Sequence, residues 1–367
     1  MATAGKLLCL DDYEAQAREL LPLRAWVLIS AGADDEVTVN ENRRAFQRYW
    51  LKPRVLRDVS VRDMSTTVLG EKIDAPICLS PSILHGTAHP DGEIATCKAA
   101  AQMSTAMIMS AFSSKSLEEI AAVRPKSIKW QNVYTWRDRE VTKDMIARAE
   151  RAGFKAIVIS VDVPVLGMKR RPTKLGGQAM MRTLQKFGNL DKYIGKDLGI
   201  GEDVPPELAT PCLTSTWKDI AWVKTVTRLP VILKGIMTVE DALLAAEHKV
   251  QGIVVSNHGG RQLDGVPASI DVLSDIVDAV GDKLEVYVDS GVRTGTDVLK
   301  ALALGARAVF IGRPVLYGLA CNGKEGVKAV LQILRDELSR AMALTGCSRI
   351  SDISRDFLSK RDRWSKL

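Results

Sequence analysis

The run Ser256-Asn257-His258-Gly259-Gly260-Arg261-Gln262-Leu263-Asp264 holds the densest chemistry in this chain. An imidazole can take a proton, and a guanidinium can grip a carboxylate with two parallel hydrogen bonds. The two glycines between His258 and Arg261 let backbone approach a ligand closely. Just before them, Gly252-Ile253-Val254-Val255 reads as a buried strand. Base and anion anchor therefore emerge together past a strand end, an arrangement suited to oxidising a small hydroxy acid.

Such residues need a scaffold, and the pattern of the chain supplies one. Short apolar runs rich in β-branched residues alternate eight times with longer amphipathic stretches. The strand candidates are Ala75–Ser80, Ala106–Ser110, Ser127–Asn132, Ala156–Val161, Val231–Lys234, Gly252–Ser256, Leu284–Val288 and Ala308–Ile311. Between them lie helix candidates such as Gly92–Met103, Arg139–Ala152, Val239–Glu247, Ser269–Val280, Thr296–Leu304 and Gly326–Leu344. Eight such units predict an α/β fold, a closed (β/α)8 TIM barrel. A doubly wound sheet is the rival, but it wants a Gly-x-Gly-x-x-Gly turn after its first strand, and the sequence has none there. The expected organisation is one domain over 1–367. It comprises a helical cap at 1–74 (Asp12–Leu20, Leu23–Ser30, Glu41–Tyr49), the barrel at 75–345 and a tail at 346–367. A long loop after the fourth strand, roughly Pro164 to Pro211, is expected to form a flap over the barrel mouth.

In (β/α)8 enzymes the reactive groups sit where the strands end. Here the ends are polar throughout: Ser80-Pro81-Ser82, Ser110, Asn132 with Tyr134, Asp162, Lys234, Ser256 with His258, Asp289-Ser290-Gly291 and Gly312-Arg313. Phosphate sites of such barrels form after strands seven and eight. Asp289-Ser290-Gly291-Val292-Arg293 and Gly312-Arg313-Pro314 bring small residues, backbone N–H groups and two arginines to that place. Lys234 follows Val-Ile-Leu and is expected to point inward, where an ammonium needs an anion. Asp162 follows Ile157-Val158-Ile159-Ser160-Val161, too apolar a run for an idle carboxylate.

The signature around His258 resembles that of the FMN-dependent 2-hydroxy-acid oxidases, the glycolate oxidase and long-chain hydroxyacid oxidase family, and the likeness covers nearly the whole chain. The resemblance implies FMN as cofactor and His258 as base, oriented by Asp162, with Lys234 near the pyrimidine side of the flavin. It places FMN contacts at Pro81, Ser82, Ile83, Ser110, Asn132, Ser160, Lys234, Ser256, Asp289, Ser290, Gly291, Arg293, Gly312 and Arg313. Tyr134 and Arg261 fall on substrate-contacting positions. Gln131 and Asn132 compete for one site, because the spacing to Tyr134 is one residue off and the family usually has glutamine there.

Three departures bear on the substrate. Leu28, aligned on Ala31-Gly32-Ala33, stands where the family has a tyrosine that touches the substrate carboxylate. Phe112 replaces a tryptophan, as in the long-chain branch, and Lys169, beside Arg170, replaces an arginine. A lost hydrogen bond to a charged group costs ~1.5–3 kcal/mol, and lysine trades a bidentate fork for a point charge. Leu28 and Phe112 make the pocket more apolar, which implies a longer aliphatic or aromatic substrate.

The reaction so implied converts an (S)-2-hydroxy acid to a 2-oxo acid, by hydride transfer or through a carbanion, with O2 reoxidising the flavin to give H2O2. Two alternatives stand beside it: a dehydrogenase coupled to another electron acceptor, and a weakly active or non-catalytic FMN-binding paralogue left by the change to Leu28. No haem-binding extension is expected before the barrel. Homo-oligomers, often tetramers, are implied by analogy alone.

Composition narrows the partners. Hydrophobic residues make up 46% of the chain, ample for a core, and the net charge of +7 is scattered. The densest basic cluster is only Lys169-Arg170-Arg171, with no aromatic-interleaved stripe for nucleic acid. No stretch approaches the ~20 apolar residues of a membrane span. Six cysteines without Cys-x-x-Cys spacing fit reduced thiols, and no residue cluster predicts a metal. Ser365-Lys366-Leu367 matches the peroxisomal address read by an import receptor.

Overall fold

The computed structural model describes residues 7–175, 187–190, 193 and 215–360. Most of the expected flap, Cys212 and the Ser365-Lys366-Leu367 tripeptide lie outside them. Among the described residues eight parallel strands close a barrel. They are β1 (Ile77–Leu79), β2 (Met107–Met109), β3 (Lys129–Val133), β4 (Ala156–Ser160), β5 (Val231–Ile236), β6 (Gly252–Val255), β7 (Glu285–Val288) and β8 (Val309–Ile311). Each candidate strand of the sequence is recovered, and the pairing of β8 with β1 completes the ring. The (β/α)8 expectation holds.

The strands explain themselves by their period of two. Cys78, Ile108, Trp130, Val158, Ile232, Val254, Tyr287 and Phe310 point into the barrel and form one buried cluster. Their neighbours, such as Leu79, Met109, Ile157, Leu233 and Ile253, face the surrounding helices in another. Trp130, Tyr287 and Phe310 meet with ring centroids 5.5–5.6 Å apart and fill the barrel interior. A hairpin, Thr66–Val68 with Glu71–Ile73, adds Val68 and Ile73 to this cluster and plugs the end opposite the strand termini. The sequence pattern gives no sign of it.

Three helices precede the barrel: α1 (Leu10–Leu20), α2 (Leu23–Ser30) and α3 (Val37–Arg44). The third departs from the expected Glu41–Tyr49. Its start is set from 226 residues away, where the Asp264 carboxylate accepts N–H bonds from Val37 and Thr38 at 3.2 and 2.8 Å. A local reading cannot see such a cap. Tyr49 instead opens a short strand, Tyr49–Leu51, that pairs with Leu358–Lys360 of the tail.

The helices around the barrel follow the expected order: α4 (Gly92–Gln102), α5 (Leu117–Val123), α6 (Arg139–Arg151), the short α7 (Arg170–Lys174), α8 (Trp217–Val226), α9 (Val239–Glu247), α10 (Ser269–Val280) and α11 (Gly295–Ala303). The last, α12 (Arg313–Thr345), begins directly after β8 rather than at Gly326. It is broken at Asn322 and Gly323, so the glycine-rich interval marks a kink inside a longer element.

The cap is locked to the barrel by a buried pair of amides. Asn42 of α3 donates to Asn257 Oδ1 at 2.9 Å, and Asn257 donates back to Asn42 Oδ1 at 2.7 Å. Gly291 lets the same helix approach the loop after β7, because a Cβ there would stand 2.0 Å from the Asn42 carbonyl oxygen. Replacing Asn42 strands a buried amide. Asn42→Ala is therefore expected to lower the free energy of unfolding by about 1–3 kcal/mol, measured by urea titration. An unchanged midpoint and slope would show that the pair holds nothing.

Candidate active site

The polar rim follows directly from the barrel's alternation. Two residues beyond each inward apolar side chain stand Ser80, Ser110, Asn132, Ser160, Lys234, Ser256, Asp289 and Gly312. The same parity settles the competition on β3. Gln131 turns outward, with Nε2 3.8 Å from Met145 Sδ on α6. Asn132 turns inward and donates to Ser160 Oγ at 3.0 Å and to the Val158 carbonyl at 3.2 Å.

An ion pair and a histidine–carboxylate hydrogen bond occupy the rim. Lys234 Nζ lies 3.1 Å from Asp289 Oδ2 and 2.8 Å from Ser256 Oγ. Ser80 donates to Asp289 Oδ2 at 3.0 Å and Ser290 donates to Oδ1 at 2.9 Å. Burial opposes charge on Asp289, but Lys234 and the serine hydroxyls outweigh it and hold the carboxyl below its usual pKa. Past the ends of β4 and β6, which flank β5, His258 Nδ1 faces both oxygens of Asp162 at 3.0 and 3.1 Å. A carboxylate on Nδ1 fixes the proton there and leaves Nε2 as the basic nitrogen. Gln262 steadies the Asp162 backbone by donating to its carbonyl at 3.1 Å. Tyr134 lies within electrostatic reach of both Asp162 and Arg261, and burial keeps its phenol protonated above the usual range.

The cations form a second group. Arg261 Nη1 donates to the carbonyls of Leu28 and Ala31 at 3.2 and 2.7 Å. Arg313 donates to those of Ile29 and Ala31, at 3.2 and 3.1 Å. Both guanidiniums thus end on the C-terminal carbonyls of α2. Burial, then the neighbouring Arg313, pushes the Arg261 pKa down to about 10. Lys169 donates to the Gly167 carbonyl at 3.0 Å, and burial followed by Arg261 pushes it down to about 8. Among the described residues none of Arg261, Arg293, Arg313 and Lys169 makes an ion pair with a carboxylate. The site carries cations in excess, as an anionic ligand requires.

FMN suits this surplus. Arg293 Nε is buried without a partner beside the loop after β7, a donor waiting for an acceptor such as phosphate. Gly312 leaves open space, since a Cβ there would come no closer than 3.5 Å, to Ser82 Oγ. Ser82 stands half-buried with Pro81 and Ile83 in the loop after β1. Arg293, Arg313 and the glycines would hold the phosphate, and Lys234, Ser110 and Asn132 the ring end.

An apolar wall completes the site. Leu28 and Leu84 are buried together, with Ile83, Leu175 and Phe187 packed on them. Phe112 stacks near Tyr134, Phe187 and Trp136, with centroids 5.4, 5.6 and 6.3 Å away. Leu84, Trp136, Leu175 and Phe187 were not foreseen. Leu84 sits next to the expected Ile83 and was within reach of inference. No periodicity in the sequence points to Phe187.

Gly235 underlies the Asp162–His258 pair. The β5–β6 register shifts between Lys234 and Ile236. Gly235 there has φ +112, and a Cβ on it would lie 2.5 Å from Asp162 Cβ and Cγ. Gly235→Ala should displace the carboxylate and cut turnover about tenfold or more. In a chain already carrying Asp162→Gly the same change should cost much less, because neither the carboxylate nor the Cβ it would strike is present. Equal losses in both backgrounds, measured as kcat, would refute the steric link.

Comparison with known proteins agrees with this geometry. Residues 17–360 match the family model for FMN-dependent dehydrogenases. The chain is 48% identical to mouse 2-hydroxyacid oxidase 2 over 356 residues, 96% of this chain and 98% of the relative. It is 44% identical to human 2-hydroxyacid oxidase 1, covering 97% of each, and 46% identical to glycolate oxidase 5 of Oryza sativa subsp. japonica, covering 96% and 95%. A solved mandelate oxidase with (S)-4-hydroxymandelic acid superposes with a TM-score of 0.89 at 38% identity, over 97% of this chain and 99% of that one. With the family model matched over residues 17–360 and relatives 44–48% identical over nearly the whole chain, the chain belongs to the FMN-dependent dehydrogenase family.

Proposed function

We propose that the chain oxidises an (S)-2-hydroxy acid to the 2-oxo acid, with dioxygen as the final electron acceptor and hydrogen peroxide as the second product. The observation that carries this is the pairing of His258 with Asp162 at 3.0 Å on the rim that also presents Arg261. Arg261 spends Nη1 on backbone carbonyls, so its remaining N–H groups are the ones that grip the substrate carboxylate. Lys169 and the Tyr134 hydroxyl add a charge and a donor on that side. Held by Asp162 through Nδ1, His258 takes the substrate hydroxyl proton on Nε2, and the carboxylate stabilises the imidazolium. Bound FMN supplies the two-electron acceptor for the hydrogen on the α-carbon.

The wall of Leu28, Ile83, Leu84, Phe112 and Phe187 supports a longer aliphatic or aromatic acid over glycolate. Anaerobic bleaching of the protein-bound flavin by a panel of 2-hydroxy acids tests the reaction, followed by oxygen uptake on readmission of air. Absorbance indifferent to every acid would rule the reaction out. The substrate class is decided by kcat/KM: 2-hydroxyoctanoate should exceed glycolate about tenfold or more, and a clear glycolate preference would overturn it.

Lys169 gives the reaction a pH signature. Its ammonium, with a pKa near 8, is present below that value and lost as pH rises through it. The kcat/KM for a carboxylate substrate, which reports the free enzyme, should fall on the alkaline side from about that pH. Lys169→Arg keeps its charge throughout and should move the limb upward. An unchanged alkaline limb in that variant would remove Lys169 from substrate binding.

A further inference from the structure

His258 occupies left-handed backbone at φ +59, and Gly259 and Gly260 follow at +67 and +69. That conformation is unfavourable for a residue with a Cβ, so something must hold it. Three successive N–H groups of the turn meet side-chain oxygens. His258 N donates to Ser256 Oγ, Gly259 N to Ser290 Oγ and Gly260 N to Asn257 Oδ1, each at 3.1 Å. Ser256 and Asn257 are local. Ser290 is not: it reaches across from the loop after β7.

Ser290 is itself out of place. It stands at φ +75, where glycine would be unstrained, and Gly291 follows at +92. A side chain kept in such backbone points to work done by that side chain. The Ser290 hydroxyl accepts from Gly259 and gives its own hydrogen to Asp289 Oδ1 at 2.9 Å. Asp289 in turn holds Lys234. One hydroxyl therefore links the turn that carries the base to the ion pair on the two strands that flank it. Ser256 makes a parallel link, accepting from both His258 N and Lys234 Nζ.

We propose that Ser290 is a positioning residue for His258: its hydroxyl fixes the left-handed turn that aims the imidazole and couples that turn to the Lys234–Asp289 pair. The proposal rests on the 2-hydroxy-acid reaction above and adds a role separate from any contact of Ser290 with the cofactor.

Two variants of the FMN-loaded protein test it. Ser290→Gly removes the hydroxyl and relieves the backbone, whereas Ser290→Ala removes the hydroxyl and keeps the strain. Anaerobic stopped-flow reduction by 2-hydroxyoctanoate should slow about tenfold in both variants, with the substrate Kd within about twofold of the parent. The thermal midpoint of the apoprotein should split the two, equal or higher for glycine and lower for alanine. Parental reduction rates in Ser290→Gly would overturn the proposal. So would weaker FMN binding with a parental rate once the flavin is saturated, because the hydroxyl would then serve the cofactor alone. If the parent is reduced by no 2-hydroxy acid, the reaction itself falls and this role falls with it. A parent reduced normally beside unaffected variants defeats only the role of Ser290.

Discussion

Lys234 and Asp289 face each other at 3.1 Å with side chains only 4% and 8% exposed. Withdrawing such charges from water costs several kcal/mol per ion, and their attraction returns this only when every other donor and acceptor is satisfied. Ser256, Ser80 and Ser290 meet that condition. An apolar pair of equal volume is often as stable or more so, which makes fold stability a poor reason for the ions. A fixed cation at the barrel mouth would serve an anionic ligand held there, as the proposed function requires. The three serines follow from the ion pair, and through Ser256 and Ser290 the placement of His258 follows too.

The second half of the site is borrowed from the cap. Half-buried guanidiniums are well served by carboxylates, yet Arg261 and Arg313 rest on the carbonyls that end α2, sharing that of Ala31. The C-terminus of a helix carries partial negative charge and can steady a cation. It does so without a full countercharge, so the arginines stay available to anions. This explains why the cap is fastened so firmly, by Asn42 against Asn257 and by Asp264 across the start of α3. A cap that shifted would take the anchors of both anions with it.

Most of this was legible in the sequence for one reason: a barrel strand alternates, so an apolar–polar transition at its end marks the rim. Ser80, Lys234, Ser256 and Asp289 could be placed from that alone. The rule also favours Asn132 over Gln131 once Trp130 is known to face inward, a fact that needs the pairing of strands. What stayed hidden depends on partners distant in sequence. The start of α3 is capped by Asp264, the plug hairpin gains its worth only under the barrel, and Phe187 meets Phe112 from 75 residues away. Ser290 was visible as a residue of the phosphate loop, but its left-handed backbone and its reach to Gly259 were not.

Under the proposed function, Leu28 would move selectivity without dismantling the anchor. Its backbone carbonyl still accepts from Arg261, so the guanidinium keeps its place whatever side chain Leu28 carries. The missing hydroxyl penalises every carboxylate substrate alike, by ~1.5–3 kcal/mol. The apolar cluster around Leu28 and Leu84 helps only those substrates long enough to reach it. At ~0.8 kcal/mol per buried methylene, about two to four methylenes recover the loss. Below that length a substrate bears the penalty without compensation, and above it the balance turns favourable. On the proposed reading, selectivity would pass from the carboxylate, which all candidates share, to the tail, where they differ.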